Sequence, residues 1–256
     1  MKTNKLIILL LLVFCGCAKD QMEKEIEFNV NFTISISPGT CFPEVSDKYV
    51  YPIVPGMIEW QTAGSTDEVY GFCQLPEKLL KSISTPALID ALIHAPLFTG
   101  FYLLSSNSSA LKWHGHYQLF NSAEELFKRK DAGDALVAYY KLACFDCTDI
   151  PVNIYGEYER MMGLEVLFTK QEIFDKIGHV KKKEVITNLL ANYEQRPDYI
   201  NGIFPMAYLM FADEYAPVMT YSQEYPEKFQ MILDGFFYSL DQVDLIISFA
   251  KNFIND

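Results

Sequence analysis

The clearest candidates for chemistry are two cysteines three positions apart, in the stretch Cys144-Phe145-Asp146-Cys147. A C-x-x-C pair can be redox-active, can form a structural disulfide or can contribute to a zinc site. Redox-active pairs usually lie at a helix N-terminus, where the macrodipole stabilises the thiolate. Here the pair follows a predicted helix, Ala132 to Cys144, so the dipole and Asp146 both oppose ionisation. We therefore expect a disulfide or inert thiols, without an oxidoreductase role.

Two histidines one residue apart, His114 and His116, are the second candidate. On a helix these two positions point about 200° apart, whereas on a strand they share a face. Glu59 or Asp67 could supply a third metal ligand, but no spacing in the sequence brings them to the histidines. The sequence therefore predicts no metal site and no cofactor.

Two further cysteines, Cys41 and Cys73, could form a second bridge in the first third of the chain. Together with Cys144 and Cys147 they allow three complete pairings, and the sequence does not choose among them. The sequence carries no nucleophile elbow, H-E-x-x-H motif, phosphate-binding loop or dinucleotide fingerprint. These patterns favour neither an enzyme nor a non-enzyme, and they assign no catalytic residue.

The N-terminus has the pattern of a secretory signal. Lys2 and Lys5 precede nine apolar residues, Leu6 to Phe14. A bilayer-spanning helix needs about 20 such residues, so this segment is too short to be a transmembrane anchor. The charged sequence that follows is typical of a solvated tether.

The exit from this signal, Phe14-Cys15-Gly16-Cys17, resembles the lipobox of bacterial lipoproteins. In that class the residue before the acylated cysteine is small, so Gly16 fits before Cys17, whereas Phe14 does not fit before Cys15. Phe14 departs from the pattern, because it stands where an aliphatic residue is usual. The resemblance implies that Cys17 becomes a multiply acylated N-terminus (carrying palmitate-type chains) that anchors the protein stably to a membrane. The alternative is a plain secreted protein.

Composition restricts the partners of the mature chain, which has about 240 residues. Half of all residues are apolar, so a sizeable core is expected. Removal of Lys2 and Lys5 leaves 19 basic against 33 acidic side chains, a net charge of −14. This excess argues against nucleic acid and anionic membrane surfaces as partners. The 16 tyrosines and 19 phenylalanines suit a core, a sugar-binding face or a protein-binding face.

The predicted fold is mainly α, a multi-helix bundle or an array of helical hairpins, preceded by one strand. Apolar and polar residues alternate from Glu25 to Ser37, which predicts one half-buried strand. Prolines and glycines then predict an extended, loop-rich region up to Pro76. The predicted divisions are a signal peptide (1–16), a tether (17–25), a strand and loop-rich region (26–75) and an all-helical domain (76–256).

Local signals mark several of the predicted helix starts. Ser84 or Thr85 is expected to cap a helix that has Pro86 in its first turn. Two stretches, Ser122 to Glu125 and Thr169 to Glu172, match a capping box. Apolar stripes at helical spacing continue to Phe253.

The stretch Ile53 to Tyr140 resembles an uncharacterised lipoprotein family of Bacteroides-type gut bacteria. Its shared pattern is a Pro-Gly…Glu-Trp element, a Pro-Glu helix start, Ser-Thr…Ala-Leu and finally Asn…Glu-Leu…Lys-Arg-Lys-Asp-Ala. The resemblance implies a helical extracytoplasmic domain and brings no known activity.

Two functions fit these observations. The first is a non-catalytic binding module, lipid-anchored in the cell envelope at the outer membrane or cell surface, with a protein or glycan ligand. The second is an extracytoplasmic hydrolase with a dispersed acidic site. Two or more carboxylates or histidines converging in a deep cleft would favour the hydrolase. A flat or concave aromatic face would favour binding.

Overall fold

Helices form most of the chain, as the sequence predicts. The computed structural model describes residues 26–27, 33–35, 40–100, 110–144, 154–195, 202–236 and 239–256. The signal peptide, Cys15, Cys17, the tether and Cys147 lie outside the described residues. The helices are α1 Ile58–Gln61, α2 Thr66–Gly71, α3 Glu77–Ser82, α4 Thr85–Ile93, α5 Ala110–Tyr117, α6 Asn121–Lys128, α7 Ala132–Leu142, α8 Ile154–Leu167, α9 Gln171–Phe174, α10 His179–Gln195, α11 Ile203–Ala212, α12 Ala216–Glu224, α13 Pro226–Leu233 and α14 Leu240–Asn255. A short 3-10 helix spans Phe98–Gly100.

A small antiparallel sheet precedes the helices, with strands β1 Ile26–Glu27, β2 Thr33–Ser35 and β3 Glu44–Val45 in that order. Ile26 pairs with Ile34, and Ile34 pairs in turn with Val45. The prediction of a single strand from Glu25 to Ser37 is therefore wrong, because two parts of that run pair with each other. Alternation identifies a half-buried strand but does not show where the chain reverses. Beyond residue 76, the described residues contain no strand, which confirms the helical prediction for that part.

Two helices lie at the centre of the helical body. All nine residues of α4 are buried, and α6, α7 and α8 pack around it. In the C-terminal half, α11 is buried along most of its length among α10, α12, α13 and α14. A helix that is apolar on most of its sides is buried on most of them, which fits the central position of both helices. In the described part of the chain, no helix has both the length and the apolar character to cross a bilayer.

The loop-rich region packs directly against the helical body. Tyr51 donates its hydroxyl hydrogen to the carbonyl of Ala91 in α4, at 3.0 Å. Asp47 accepts hydrogen bonds from the backbone N–H and the hydroxyl of Ser84, at 2.6 and 2.7 Å. Residues of both regions belong to one apolar core. The region is less irregular than predicted, since it contains β3, α1 and α2.

The cap signals in the sequence have mixed outcomes. Ser84 caps α4 as expected, because its Oγ accepts from the N–H of Ala87 at 3.2 Å. The two capping boxes are wrong. The residue before α6 is Phe120 and the residue before α9 is Lys170, and neither side chain makes a capping hydrogen bond. Ser122 is buried inside α6, and the hydroxyl of Thr169 bonds to the carbonyl of Val166 at 2.8 Å.

Candidate functional site

The described surface has an open depression where three C-terminal helices meet, with a volume of about 500 Å³. We call it the tyrosine cleft, and it is lined by Tyr221 of α12, Lys228 of α13, Ser239, and Asp241, Gln242 and Leu245 of α14. Tyr225 joins α12 to α13 beside the cleft, and its ring packs against that of Tyr221, with ring centroids 5.2 Å apart. Small-molecule sites usually combine apolar or aromatic walls with a few polar groups, and this depression has both kinds of lining.

The aromatic wall is fixed by packing. Tyr221 lies 6.2 Å from both Phe229 of α13 and Phe249 of α14, measured between ring centroids. Burial raises the pKa of Tyr221, while a hydrogen bond from Gln242 lowers it in part. The phenol therefore stays neutral at physiological pH and serves as a hydrogen-bonding group.

The outer ring of the wall is accessible to a ligand. Tyr225 is 45% exposed, and the ammonium nitrogen of Lys228 lies 5.1 Å from its ring centroid. A cation over a tyrosine ring is attracted by the negative π-face, and this contact orients the lysine at the edge of the cleft.

The start of α14 provides hydrogen-bonding groups to the lining of the tyrosine cleft. Asp241 is exposed in the first turn of that helix, where the dipole favours a carboxylate. Gln242 is almost fully buried and faces Tyr221, so its amide is held in place. Carboxylate, amide and hydroxyl groups beside a tyrosine ring suit a ligand that has an apolar face and several hydroxyls.

The structure places His114 and His116 on α5, so the alternative strand reading of this stretch is wrong. His114 shares a 2.8 Å hydrogen bond between its Nε2 and the hydroxyl of Thr169. His116 is buried among aromatic rings, including those of Trp113 and Phe120. Burial lowers the pKa of each histidine to about 4. Both are therefore neutral members of the fold, and their rings do not face one common site.

Cys144 is one half of a disulfide, and it lies just past the C-terminal end of α7. Its backbone N–H donates to the carbonyl of Cys41 at 3.0 Å, which ties the loop-rich region to the end of α7. The suggested second bridge is wrong, because neither Cys41 nor Cys73 is part of a disulfide. Burial raises the pKa of the Cys73 thiol to about 11, so this thiol is unreactive at neutral pH.

A buried carboxylate on α4, that of Asp90, forms a cluster with polar partners that the sequence analysis missed. Asp90 is fully buried and accepts a hydrogen bond from the Tyr139 hydroxyl at 2.9 Å. His94 Nδ1 lies 3.2 Å from one carboxylate oxygen, and Lys48 Nζ lies 3.6 Å from the other. The i,i+4 spacing of Asp90 and His94 was the available sequence signal. The cluster joins the loop-rich region, α4 and α7, which is a structural role.

Two acids of α8, one buried and one half-buried, have contrasting surroundings. Glu165 is fully buried and accepts from the hydroxyl of Tyr140 at 2.6 Å, while Asn192 donates to that hydroxyl at 2.8 Å. Burial raises the pKa of Glu159 to about 7, and the charge of Arg160 offsets part of the effect. A carboxyl that titrates near neutrality has the protonation behaviour of a general acid or base.

The acids suggested as a third metal ligand do not form a metal site with the histidines. Glu59 and Asp67 are exposed on α1 and α2. Another histidine, His179 at the start of α10, pairs with Asp213, whose other oxygen lies 3.1 Å from Lys182 Nζ. Within the described ranges, no group of three or more His, Cys, Asp or Glu side chains could hold a metal ion.

Comparison with known proteins returns no relative. The chain matches no protein-family model, no curated protein and no solved structure.

Proposed function

We propose that this chain is a bacterial lipoprotein, anchored through Cys17 in the cell envelope, whose helical body is a non-catalytic module that binds a glycan at the tyrosine cleft. The sequence pattern of residues 1–17 supports the anchor. The observation that carries the binding role is the exposed Tyr225, packed against the cleft-lining ring of Tyr221, beside a cleft that Asp241 and Gln242 also line.

The chemistry of a sugar ring fits this arrangement. One face of many sugar rings presents C–H groups that pack on an aromatic ring, and the hydroxyls around its edge need donors and acceptors. The exposed Tyr225, beside the cleft, supplies the ring. In the cleft lining, Asp241 and Gln242 supply polar partners and Lys228 supplies a donor. A protein ligand would instead use a larger apolar contact, so we favour a glycan.

The alternative, an extracytoplasmic hydrolase, has the titration of Glu159 in its favour. Acid–base catalysis of glycoside hydrolysis needs a second carboxyl at a defined separation from the first. The neighbouring charge that acts on the Glu159 carboxyl is the cation Arg160, which lowers its pKa. A cation does not supply the second carboxyl that such a mechanism needs. We therefore propose binding.

The test is a glycan array probed with the full chain, followed by titration calorimetry with any hit. Tyr225→Ala should weaken binding about tenfold or more, because it removes the stacking surface, whereas Tyr225→Phe should retain most of it. Asp241→Asn should weaken binding as well.

A matched control is available on the same helix. Asp244 is exposed on α14 but does not line the tyrosine cleft, so Asp244→Asn should leave affinity unchanged. Glycan binding that survives both Tyr225→Ala and Asp241→Asn would place the site elsewhere. A chain that binds no glycan but cross-links to a protein through the cleft would replace the proposed ligand class.

A further inference from the structure

An exposed segment without a charged side chain lies in the loop-rich region. Residues 49–58 read YVYPIVPGMI and contain no Asp, Glu, Lys, Arg or His. We call this segment the apolar turn. Its exposed apolar side chains, with their exposed fractions, are Val50 (76%), Val54 (39%), Met57 (40%) and Ile58 (70%). Isolated exposed apolar residues are common on proteins, but several within one short uncharged segment indicate a contact surface.

The fold holds the apolar turn in place. Tyr51, near its start, is buried and bonded to the carbonyl of Ala91. The tip is a four-residue turn closed by a 3.2 Å hydrogen bond from the N–H of Met57 to the carbonyl of Val54, with Gly56 at φ 99°. Gln61 of α1 donates to the carbonyl of Gly56 at 3.0 Å. The exposed side chains therefore project from an ordered turn with a glycine at the position that requires positive φ.

The apolar turn also follows the small sheet closely along the chain. Ile26 of β1 pairs with Ile34, which pairs with Val45, so about 10 Å separates Ile26 from Val45 across the sheet. Val50 follows Val45 by five residues. From Cys17 to Ile26 the chain can extend at most about 30 Å. A lipid on Cys17 would thus keep this side of the molecule close to the bilayer.

We propose that the apolar turn inserts into the surface of the bilayer that holds the lipid of Cys17, as a second and reversible membrane contact. The inference rests on the proposed anchor. The bilayer is the favoured occupant because the anchor holds the turn beside it and because the turn lacks charge. Insertion then depends on the transfer of apolar side chains from water into the bilayer. It needs no charged lipid, so it works on zwitterionic lipid, which does not repel the acidic chain.

The two tryptophans provide the readout. Trp60 is half-buried in α1, two residues beyond Ile58, and it contacts Phe72 with ring centroids 5.9 Å apart. Trp113 is fully buried in α5. We expect brominated phosphatidylcholine vesicles that carry the acylated full chain to quench Trp60 and to leave Trp113 unquenched. Trp60→Phe should therefore remove the quenched part of the emission.

Two variants separate insertion from a general effect of charge. Ile58→Asp changes a side chain that is 70% exposed and removes no core contact, so the variant should fold normally. It should weaken insertion about tenfold, since a charge replaces an aliphatic group that would enter the bilayer. Val180→Asp is the control, because Val180 is 77% exposed and also lies in the first turn of a helix, α10. It should leave quenching unchanged.

The outcomes distinguish this inference from the anchor on which it rests. Mass spectrometry of the N-terminal peptide first establishes whether Cys17 carries lipid. An unmodified Cys17 defeats both proposals. A lipidated protein whose Trp60 emission is unaffected by bromolipid, or equally quenched after Ile58→Asp, defeats only the insertion of the apolar turn. Formation of dimers through Met57 and Ile58 in place of quenching would also overturn it, by identifying a second copy as the occupant.

Discussion

At the scale of single residues, the side chain of Asp90 shows how a buried charge is kept. Burial by itself raises the pKa of this carboxyl, but the hydrogen bond and charge of His94, the charge of Lys48 and the hydrogen bond of Tyr139 outweigh it. The net result is a pKa below the ordinary value of 3.8. The ionised form is therefore more stable in the folded protein than in the unfolded chain, and it contributes stability at neutral pH.

We predict that Asp90→Asn lowers the free energy of unfolding by about 2–3 kcal/mol at pH 7, because it removes one partner of a buried charged cluster. Since the folded-state pKa is depressed, this contribution is present above about pH 4 and is lost as the pH falls through the folded value. The difference between wild type and variant should therefore shrink in acid. Urea denaturation at pH 7 and pH 3 measures it.

The exposed Asp244→Asn provides the control and should change stability by less than about 0.5 kcal/mol. An equal loss for Asp90→Asn at both pH values would contradict the charge argument and point to packing alone.

At the scale of elements, Gly163 lets α8 approach α5 and the 3-10 helix closely. A Cβ at this position of α8 would lie 2.9 Å from the Trp113 ring of α5 and closer still to the Phe98 ring of the 3-10 helix. The carbonyl of Gly163 also accepts a 2.5 Å hydrogen bond from the hydroxyl of Tyr117. The missing side chain thus makes room for the aromatic core between α5 and α8.

We predict that Gly163→Ala destabilises the protein by about 2–3 kcal/mol, because an added methyl overpacks a core of rigid rings. Gly115 offers a matched control within α5, where a Cβ would meet nothing within 4 Å. Gly115→Ala should stabilise the protein by about 0.5–1 kcal/mol through helix propensity. Thermal and urea unfolding of both variants measure these changes. A similar effect of the two substitutions would contradict the packing explanation.

At the scale of the whole molecule, one core joins the loop-rich region to the helical body. Ile34, Phe42 and Tyr51 belong to the same apolar cluster as α4 and α11. A lipid on Cys17 would therefore hold the complete folded unit, since β1 begins only nine residues later.

We predict that Cys17→Ala releases the protein from the membrane fraction, because no acyl chain remains, whereas Cys15→Ala leaves it there. Cell fractionation measures the distribution, and mass spectrometry of the N-terminal peptide measures the lipid. Release by Cys15→Ala with retention by Cys17→Ala would reverse the assignment of the acylated residue.

Local patterns in the sequence were sufficient for much of the secondary structure. The predicted helix from Ala132 to Cys144 matches α7 to within two residues, and Ser84 with Pro86 predicts the start of α4. These features depend on interactions between residues at most four positions apart, so the sequence displays them directly.

Only the tertiary structure decided which groups meet across long stretches of chain. Ile26 and Ile34 pair as neighbouring strands, and Thr169 bonds His114 where the sequence pattern predicts a cap. The tyrosine cleft and the Asp90 cluster each combine residues from separate elements. A polar side chain binds whichever partner the packed helices bring within reach, and that competition is settled by the arrangement of the core, which local spacing does not encode. The sequence by itself therefore determined the helical class, while the packing of those helices determined the candidate site.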